Sequence, residues 1–378
     1  MKIAIVCDWL VTIGGAEKVL EQMLKCFPEA DIFAVIDYIP EEKRSIILNK
    51  TVRTTFIQKL PFVKTGYRKY LSFMPLAIEQ LDLSDYDLVI SSSHSVAKGV
   101  ITGPNQLHIC YCHTPMRYIW DLQNQYLHEL GLESGLRSLI IRILLHKLRL
   151  WDSRSSNDVD YFIANSKFIA RRIEKFYRRD SIVIYPPVST LNEHTNVTKG
   201  DFYVTASRIV PYKKVDLVIE SFKQMPEKKL IVIGNGKSIN KIKAKAAGYS
   251  NIQILGYQPD DVLKTYLSQA KGFVFAAEED FGILPVEAQA LGTPVIAYGK
   301  GGVCESVINF KDDSDKATGV FFVKQDVSSI KQAIEYFESI RHLIKAENCV
   351  NNAARFANSR FCEEFKAFVL NKFEQFNF

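Results

Sequence analysis

The stretch from Gly272 to Gly302 constrains the fold of this chain more than any other. It opens with Phe273 to Ala277, an apolar run with the length and aromatic content of a buried parallel strand. The acidic cluster Glu278-Glu279-Asp280 ends that run abruptly, and Phe281-Gly282 turns the backbone. Pro285 fits the first turn of a helix, where no N–H is needed. The helix, about Leu284 to Leu291, stops at Gly292, a residue suited to a left-handed cap. Val295 to Tyr298 forms a second apolar strand that runs into the turn Gly299-Lys300-Gly301-Gly302. This succession belongs to an α/β sheet built from parallel strands.

Two carboxylates in this unit invite a functional reading. Glu279 sits where the chain leaves a strand's carboxyl end, the edge at which open parallel sheets bind ligands. Glu287 lies about one turn into the helix, where it either offsets the helix dipole or meets a ligand. The intervening turn can present both to one crevice, and the backbone N–H groups of Gly282, Ile283 and Leu284 can hold a phosphate there. A ligand with hydroxyls at two ends and phosphate between them fits this arrangement. A nucleotide sugar has that shape.

With 378 residues the chain exceeds one ordinary core and predicts two domains. An apolar fraction of 47% and a charged fraction of 24% are those of a soluble globular protein. The net charge of +6 is modest, and no nucleic-acid partner is expected. Seven cysteines are scattered; the close pair Cys110 and Cys112 alternates along a strand-like run, with no second pair to complete a zinc spacing. Reduced thiols in a reducing compartment are expected. Met1 leads straight into a strand, and no apolar run reaches the roughly 20 residues that span a bilayer. The expected location is the cytoplasm.

Lys2 to Cys7 reads as a buried strand, the loop Asp8 to Gly15 leaves its carboxyl end, and a helix runs from Ala16 to about Phe27. Gly14-Gly15 is either a plain tight turn or a phosphate or sugar contact, since the full dinucleotide fingerprint is missing. Asp31 to Asp37, Asp87 to Ser91 and Leu107 to Cys112 read as further strands. His113 leaves the last of these on the ligand-binding edge, so it is either a satisfied structural histidine or a site residue. Gly135 to Asp152 is a helical run carrying Arg137, Arg142, Lys147 and Arg149. It is either a membrane-surface helix or a core helix with snorkelling cations. A second basic stretch runs from Lys167 to Arg179, between strands at Asp160 to Ala164 and Ile182 to Tyr185.

Residues 189 to 200 are polar and unpatterned, the best linker in the chain. A second alternating series begins with Phe202 to Ala206 and continues with Lys229 to Ile233, Ile252 to Leu255, Phe273 to Ala277, Val295 to Tyr298 and Gly319 to Val323. The fold class is therefore α/β, with two doubly wound Rossmann-like domains over residues 1–190 and 200–356. Arg208 and Lys213 follow the first strand of the second domain. A guanidinium there can grip a diphosphate bidentately, and the ammonium adds a compact charge. Asp313-Ser-Asp315 reads as a solvated turn, not a metal site.

Glu279-Asp-Phe-Gly-Ile-Leu-Pro-Val-Glu287, followed by Ala-Gln-Ala-Leu-Gly-Thr-Pro-Val-Ile-Ala, resembles the Glu-x7-Glu signature of glycosyltransferase family 4. The resemblance implies a retaining enzyme of GT-B fold, two Rossmann-like domains facing a crevice, with a final helix of about residues 357–378 packing back on the first domain. It places Glu279 on the donor sugar's hydroxyls and Glu287 on the nucleotide ribose, with Phe281, Gly282, Ile283 and Leu284 in the donor loop. Arg208 and Lys213 then stabilise the departing diphosphate, Gly14 and Gly15 lie beside the donor phosphates and the acceptor, and His113 lies near the reactive centre. Together with Cys-His113-Thr-Pro-Met-Arg-Tyr, these motifs are similar to those of bacterial O-antigen and capsule mannosyltransferases that use GDP-mannose. No metal or other cofactor is implied. The expected partners are a nucleotide sugar, a glycan acceptor on a lipid, and an anionic membrane at the inner face of the cytoplasmic membrane. The rival readings are a nucleotide-sugar epimerase of the same fold and a non-catalytic nucleotide-binding protein.

Overall fold

The computed structural model describes residues 1–190 and 197–376; part of the anticipated linker, residues 191–196, and the last two residues of the anticipated final helix lie outside the described residues. The chain divides into two compact units, Met1–Pro187 with Ser359–Phe378, and Val188–Asn358. The first holds a parallel sheet of β1 (Ile3–Cys7), β2 (Asp31–Ala34), β3 (Val52–Thr54), β4 (Leu88–Ser93), β5 (Leu107–Cys112), β6 (Tyr161–Ala164) and β7 (Ser181–Val183). Its order is β3-β2-β1-β4-β5-β6-β7. The second sheet, also parallel, contains β8 (Phe202–Ala206), β9 (Lys229–Ile233), β10 (Ile252–Gly256), β11 (Gly272–Phe275), β12 (Val295–Tyr298) and β13 (Gly319–Phe322). Its order is β10-β9-β8-β11-β12-β13.

Strands β1, β4 and β5 are buried along their whole length. Helices cover both faces of such a sheet, so its strands need continuous burial and not alternation. Strand β3 escaped the sequence reading because three partly exposed residues at a sheet edge carry little hydrophobic signal. Strand order reverses between β1 and β4, and again between β8 and β11. At such switch points the loops leaving neighbouring carboxyl ends diverge, and a ligand crevice opens. Asp8 and His94 leave β1 and β4, while Ser207 to Lys213 and Glu278 to Asp280 leave β8 and the end of β11.

The helix Asn358–Phe376 completes the first unit's core. Its Phe361 and Phe365 stack at 5.3 Å, and Phe365 meets Phe27 at 6.2 Å. On the sheet's other side, the helix Leu136–Ser155 is pinned by a buried ion pair. Lys98, only 1% exposed, donates to Asp152 Oδ1 at 2.5 Å and to Ser155 Oγ at 3.0 Å. Asp152 Oδ2 accepts from Trp120 Nε1 at 2.7 Å and from the Tyr177 hydroxyl at 2.9 Å. Gly99 makes room for this docking, since a Cβ there would lie 2.2 Å from the Trp151 ring.

Three cations of the two basic stretches, which the sequence left open between a membrane surface and a core with snorkelling cations, turn inward. Arg149 donates to the Ile119 carbonyl at 2.8 Å, Arg172 is buried on the Asp121 carboxylate, and Arg179 reaches the carbonyls of Ser156 and Asp160 at 2.8 and 3.0 Å. A planar guanidinium closes several acceptors at once, which suits it to cross-link loops internally. Arg137, Arg142 and Lys147 remain exposed. The outward face of that helix is apolar: Leu136 is 74% exposed and Leu139 55%, with Ile140 and Ile143 beside them. A similar surface covers the short turns from Phe56 to Glu79, where Phe62 and Phe73 are exposed and no acidic residue occurs before Glu79.

Lys98→Met should leave the buried Asp152 carboxylate without its counter-ion, with Trp120 and Tyr177 as its remaining side-chain donors, and destabilise the protein by about 3–5 kcal/mol. Urea unfolding measures this. A loss under about 1 kcal/mol would show that the pair does not hold the helix.

Candidate active site

In the second unit, the loop carrying Glu279 takes its shape from the glycine turn after β12. Gly302 N donates to the Glu279 carbonyl at 2.8 Å, and Glu279 bridges Gly301 in parallel register. A Cβ on Gly301, which has φ +84°, would lie 2.5 Å from the Glu279 carbonyl; one on Gly302 would lie 2.2 Å from that of Asp280. Only glycine lets the two main chains approach so closely. The turn seen in the sequence after β12 is thus the floor beneath Glu279.

The loop after β8 is built in the same way. Ser207 N donates to the Ile233 carbonyl at 3.1 Å, and Ile209 N to that of Asn235 at 2.9 Å. Cβ atoms on Gly234 and Gly236 would fall 1.8 and 2.3 Å from the carbonyls of Ser207 and Ile209. The turn Pro211–Lys213 follows, and Lys214 takes a left-handed φ of 55° to enter the next helix. Arg208 is exposed, with one guanidinium nitrogen 3.1 Å from the Tyr212 hydroxyl. Lys213 Nζ sits on Glu279 Oε1, so two loops separated in sequence deliver one ion pair to the switch point. The sequence reading missed Gly234-Asn235-Gly236 and also Ser207, whose Oγ is buried without a hydrogen-bond partner among the described residues. A glycine pair just after β9 was the available signal.

The helix Ile283–Ala290 starts after Gly282, which has φ +88°, and carries a half-buried Glu287. Gly292 closes the helix with φ +69°, in the left-handed conformation expected of it. Gln289 fixes the helix from beneath: its amide donates to the carbonyls of Pro285 and Ser306 at 3.0 and 2.9 Å, and Asn352 donates to it at 2.7 Å. The Phe281 ring is 2% exposed and packs on Phe356 at 5.2 Å. Its side chain is therefore a core anchor, and a ligand would meet its backbone with those of Gly282, Ile283 and Leu284. Asp313 lies in a turn in which its Oδ1 accepts from Lys316 N at 3.1 Å.

The first unit has its own polar cluster at the switch point between β1 and β4. Asp8 is 1% exposed and accepts four backbone N–H groups: His94 and Ser95 on Oδ2 at 2.7 and 3.1 Å, Val96 and Ala97 on Oδ1 at 2.5 and 2.7 Å. His94 Nδ1 lies 2.8 Å from Oδ2. Burial alone would raise the Asp8 pKa, but the His94 charge and these donors hold it below the usual carboxylate range. Burial likewise favours a neutral His94, and the Asp8 carboxylate outweighs it, raising the imidazole above its ordinary value. His113, named by the sequence, is pushed down to about 3 by burial and by the His94 charge, so it is neutral at pH 7. Its Nε2 is 2.9 Å from Ser92 Oγ, and its carbonyl accepts from Asn165. Gly14 opens the helix Gly15–Cys26, and its N–H is held by the Glu17 carboxylate at 2.8 Å.

Two family models cover most of the chain: Glycosyltransferase Family 4 matches residues 13–190, and Glycosyl transferases group 1 matches residues 189–356. An uncharacterized glycosyltransferase of Methanocaldococcus jannaschii is 28% identical over 193 residues, 50% of this chain and 52% of that protein. A GDP-mannose-dependent monoacylated alpha-(1-6)-phosphatidylinositol monomannoside mannosyltransferase of Corynebacterium glutamicum is 31% identical over 142 residues, 34% of this chain and 35% of that protein. The chain thus spans about half the length of these relatives, or less. Among solved structures, HepE of Anabaena in complex with UDP superposes with a TM-score of 0.69 at 17% identity, covering 98% of this chain and all of that one. That likeness is one of fold, the pair of Rossmann-like domains called GT-B. The chain belongs to glycosyltransferase family 4.

Proposed function

We propose that the protein transfers a hexose, with retention of configuration, from a nucleotide sugar to a growing bacterial surface glycan. The observation that carries this reading is the meeting of Lys213 and Glu279 beside Arg208 at the β8/β11 switch point. When the sugar–phosphate bond breaks, negative charge moves onto the diphosphate. Fixed cations there stabilise the transition state more than the ground state. Arg208 offers a fork for two phosphate oxygens and Lys213 a point charge. Glu279, whose backbone is fixed by the glycine floor, accepts from sugar hydroxyls, and Glu287 accepts from the ribose. The buried Ser207 hydroxyl, which lacks a partner among the described residues, is placed to join the phosphate contacts. In this reading the leaving phosphate takes the acceptor's proton, and the chain's own cations and amides do the work otherwise given to a metal.

Mannose from GDP-mannose is the favoured donor, supported by the motif resemblance and by the Corynebacterium relative named for GDP-mannose. A lipid-linked acceptor, met by a cytoplasmic enzyme at the inner face of the cytoplasmic membrane, is supported by the first unit's surface. Among the described residues no helix is long and apolar enough to cross a membrane. Leu136, Leu139 and Ile140 are exposed on the helix that carries Arg137 and Lys147, and Phe62 is exposed in the segment that carries Lys64 and Lys69; each mixture suits an anionic headgroup layer.

Arg208→Ala and Glu287→Ala should fold normally. Loss of the Arg208 contact is expected to lower kcat by about 10²–10³. A folded Arg208→Ala enzyme with full turnover would show the cation to be idle. Turnover should also survive EDTA; abolition by chelator and rescue by magnesium or manganese would require a metal site.

Flotation with vesicles checks the membrane reading. Each surface cation near an anionic bilayer contributes about 1 kcal/mol, so Arg137→Glu with Lys147→Glu should weaken binding and salt should screen it. Leu139→Ser with Phe62→Ser should remove whatever binding survives high salt. A wild-type protein that never floats would sink the peripheral assignment.

A further inference from the structure

We infer that His94, held on Asp8, is the side chain of the first unit that hydrogen-bonds a hydroxyl of the sugar acceptor. This rests on the glycosyl-transfer reading, but its geometry is independent of the second unit. Asp8 carries four amide hydrogen bonds and is sealed from solvent, so it can only accept. Its Oδ2 therefore takes the proton of His94 Nδ1, which fixes the ring's orientation and leaves Nε2 as the atom to be used. Among the described residues no hydrogen-bond partner engages that nitrogen, and 31% of the side chain is exposed. His113 differs in both respects, because Ser92 occupies its Nε2 and it is almost wholly buried.

The surroundings suit a pyranose. The Trp9 indole meets the His94 ring edge-on at 4.7 Å and the Tyr67 ring at 5.3 Å. Both aromatic residues are half-buried. Sugar sites pair an apolar shelf with a few fixed polar groups, and this cluster supplies both. The charged and titratable groups around the ring are Asp8 from β1, Glu17 from the helix Gly15–Cys26, Arg68 from the turns before β4, and His113 from β5. Asp8 and Glu17 offset the ring's positive charge, which favours a neutral hydroxyl over a phosphate as the bound group. The buried Asp8 carboxylate both ties down the backbone of residues 94–97 and aims His94 Nε2.

Kinetics with GDP-mannose as donor and methyl α-mannoside as the probe acceptor test the assignment. His94→Ala should raise the acceptor KM by about 10- to 100-fold, as expected for loss of a hydrogen bond to a charged group, and leave the donor KM unchanged. The wild-type acceptor KM should rise as pH climbs through the ring's raised pKa; His94→Gln should lack that limb while melting like the wild type. An unchanged acceptor KM, an effect confined to the donor, or a pH limb that persists in His94→Gln overturns the assignment. Absence of any turnover by the wild type would tell against the transfer reading alone. The ring is then judged by the ¹⁵N signal of its Nε2, which should shift as methyl α-mannoside is added and would contradict the inference if it stayed fixed.

Discussion

Contact of main chain on main chain at four glycines shapes the loops that leave the second sheet. Gly234 and Gly236 lie under Ser207 to Ile209, and Gly301 and Gly302 lie under Glu279 to Phe281, each where a Cβ would come within 2.5 Å of a carbonyl oxygen. Loops supported in this way keep few alternative conformations, which is what a site acting through fixed charges requires. The same contacts bring Lys213 and Glu279 together from separate strands. The pairing leaves neither side chain as an isolated ion in a partly buried place.

The first unit solves a different problem. Its buried carboxylates, Asp8 and Asp152, are each surrounded by donors, but to different ends. Asp152 joins Lys98, Trp120 and Tyr177 into a cross-link that ties the helix Leu136–Ser155 to the loop after β4. Asp8 collects the amides of residues 94–97 and orients an imidazole that stays partly exposed. Both are costly charges kept by complete hydrogen bonding. Their difference lies in what is left over: in the Asp152 network only core, in the Asp8 network a ring nitrogen.

Much of the architecture was legible because parallel strands buried on both faces write themselves as short apolar runs. β5, β8, β9 and β12 have the limits read for them, and Gly292 caps its helix as expected. Arg208, Lys213 and Glu279 were legible as residues at strand exits and Glu287 as one a turn into the following helix, and the structure brings Lys213 onto Glu279. What the sequence hid depends on long-range partners. The inward roles of Arg149, Arg172 and Arg179 follow from acceptors on other loops, which no local pattern of cations reveals. The burial of Phe281 depends on Phe356, and the choice between His94 and His113 depends on which of them meets Asp8 and which meets Ser92. Strand order, which one sequence does not reveal, would have marked β1 and β4 as the switch point and Asp8 with His94 as its residues.

A glycine-supported strand edge in the second unit that grips the diphosphate of a nucleotide sugar must also bind the free nucleoside diphosphate. Calorimetric titration of GDP into the wild type and into Gly302→Val tests it most directly. The account predicts saturable binding by the wild type and at least about tenfold weaker binding by the variant, whose side chain must displace the Asp280 carbonyl. A wild type indifferent to GDP and to UDP, or a folded variant that binds as tightly as the wild type, would contradict it.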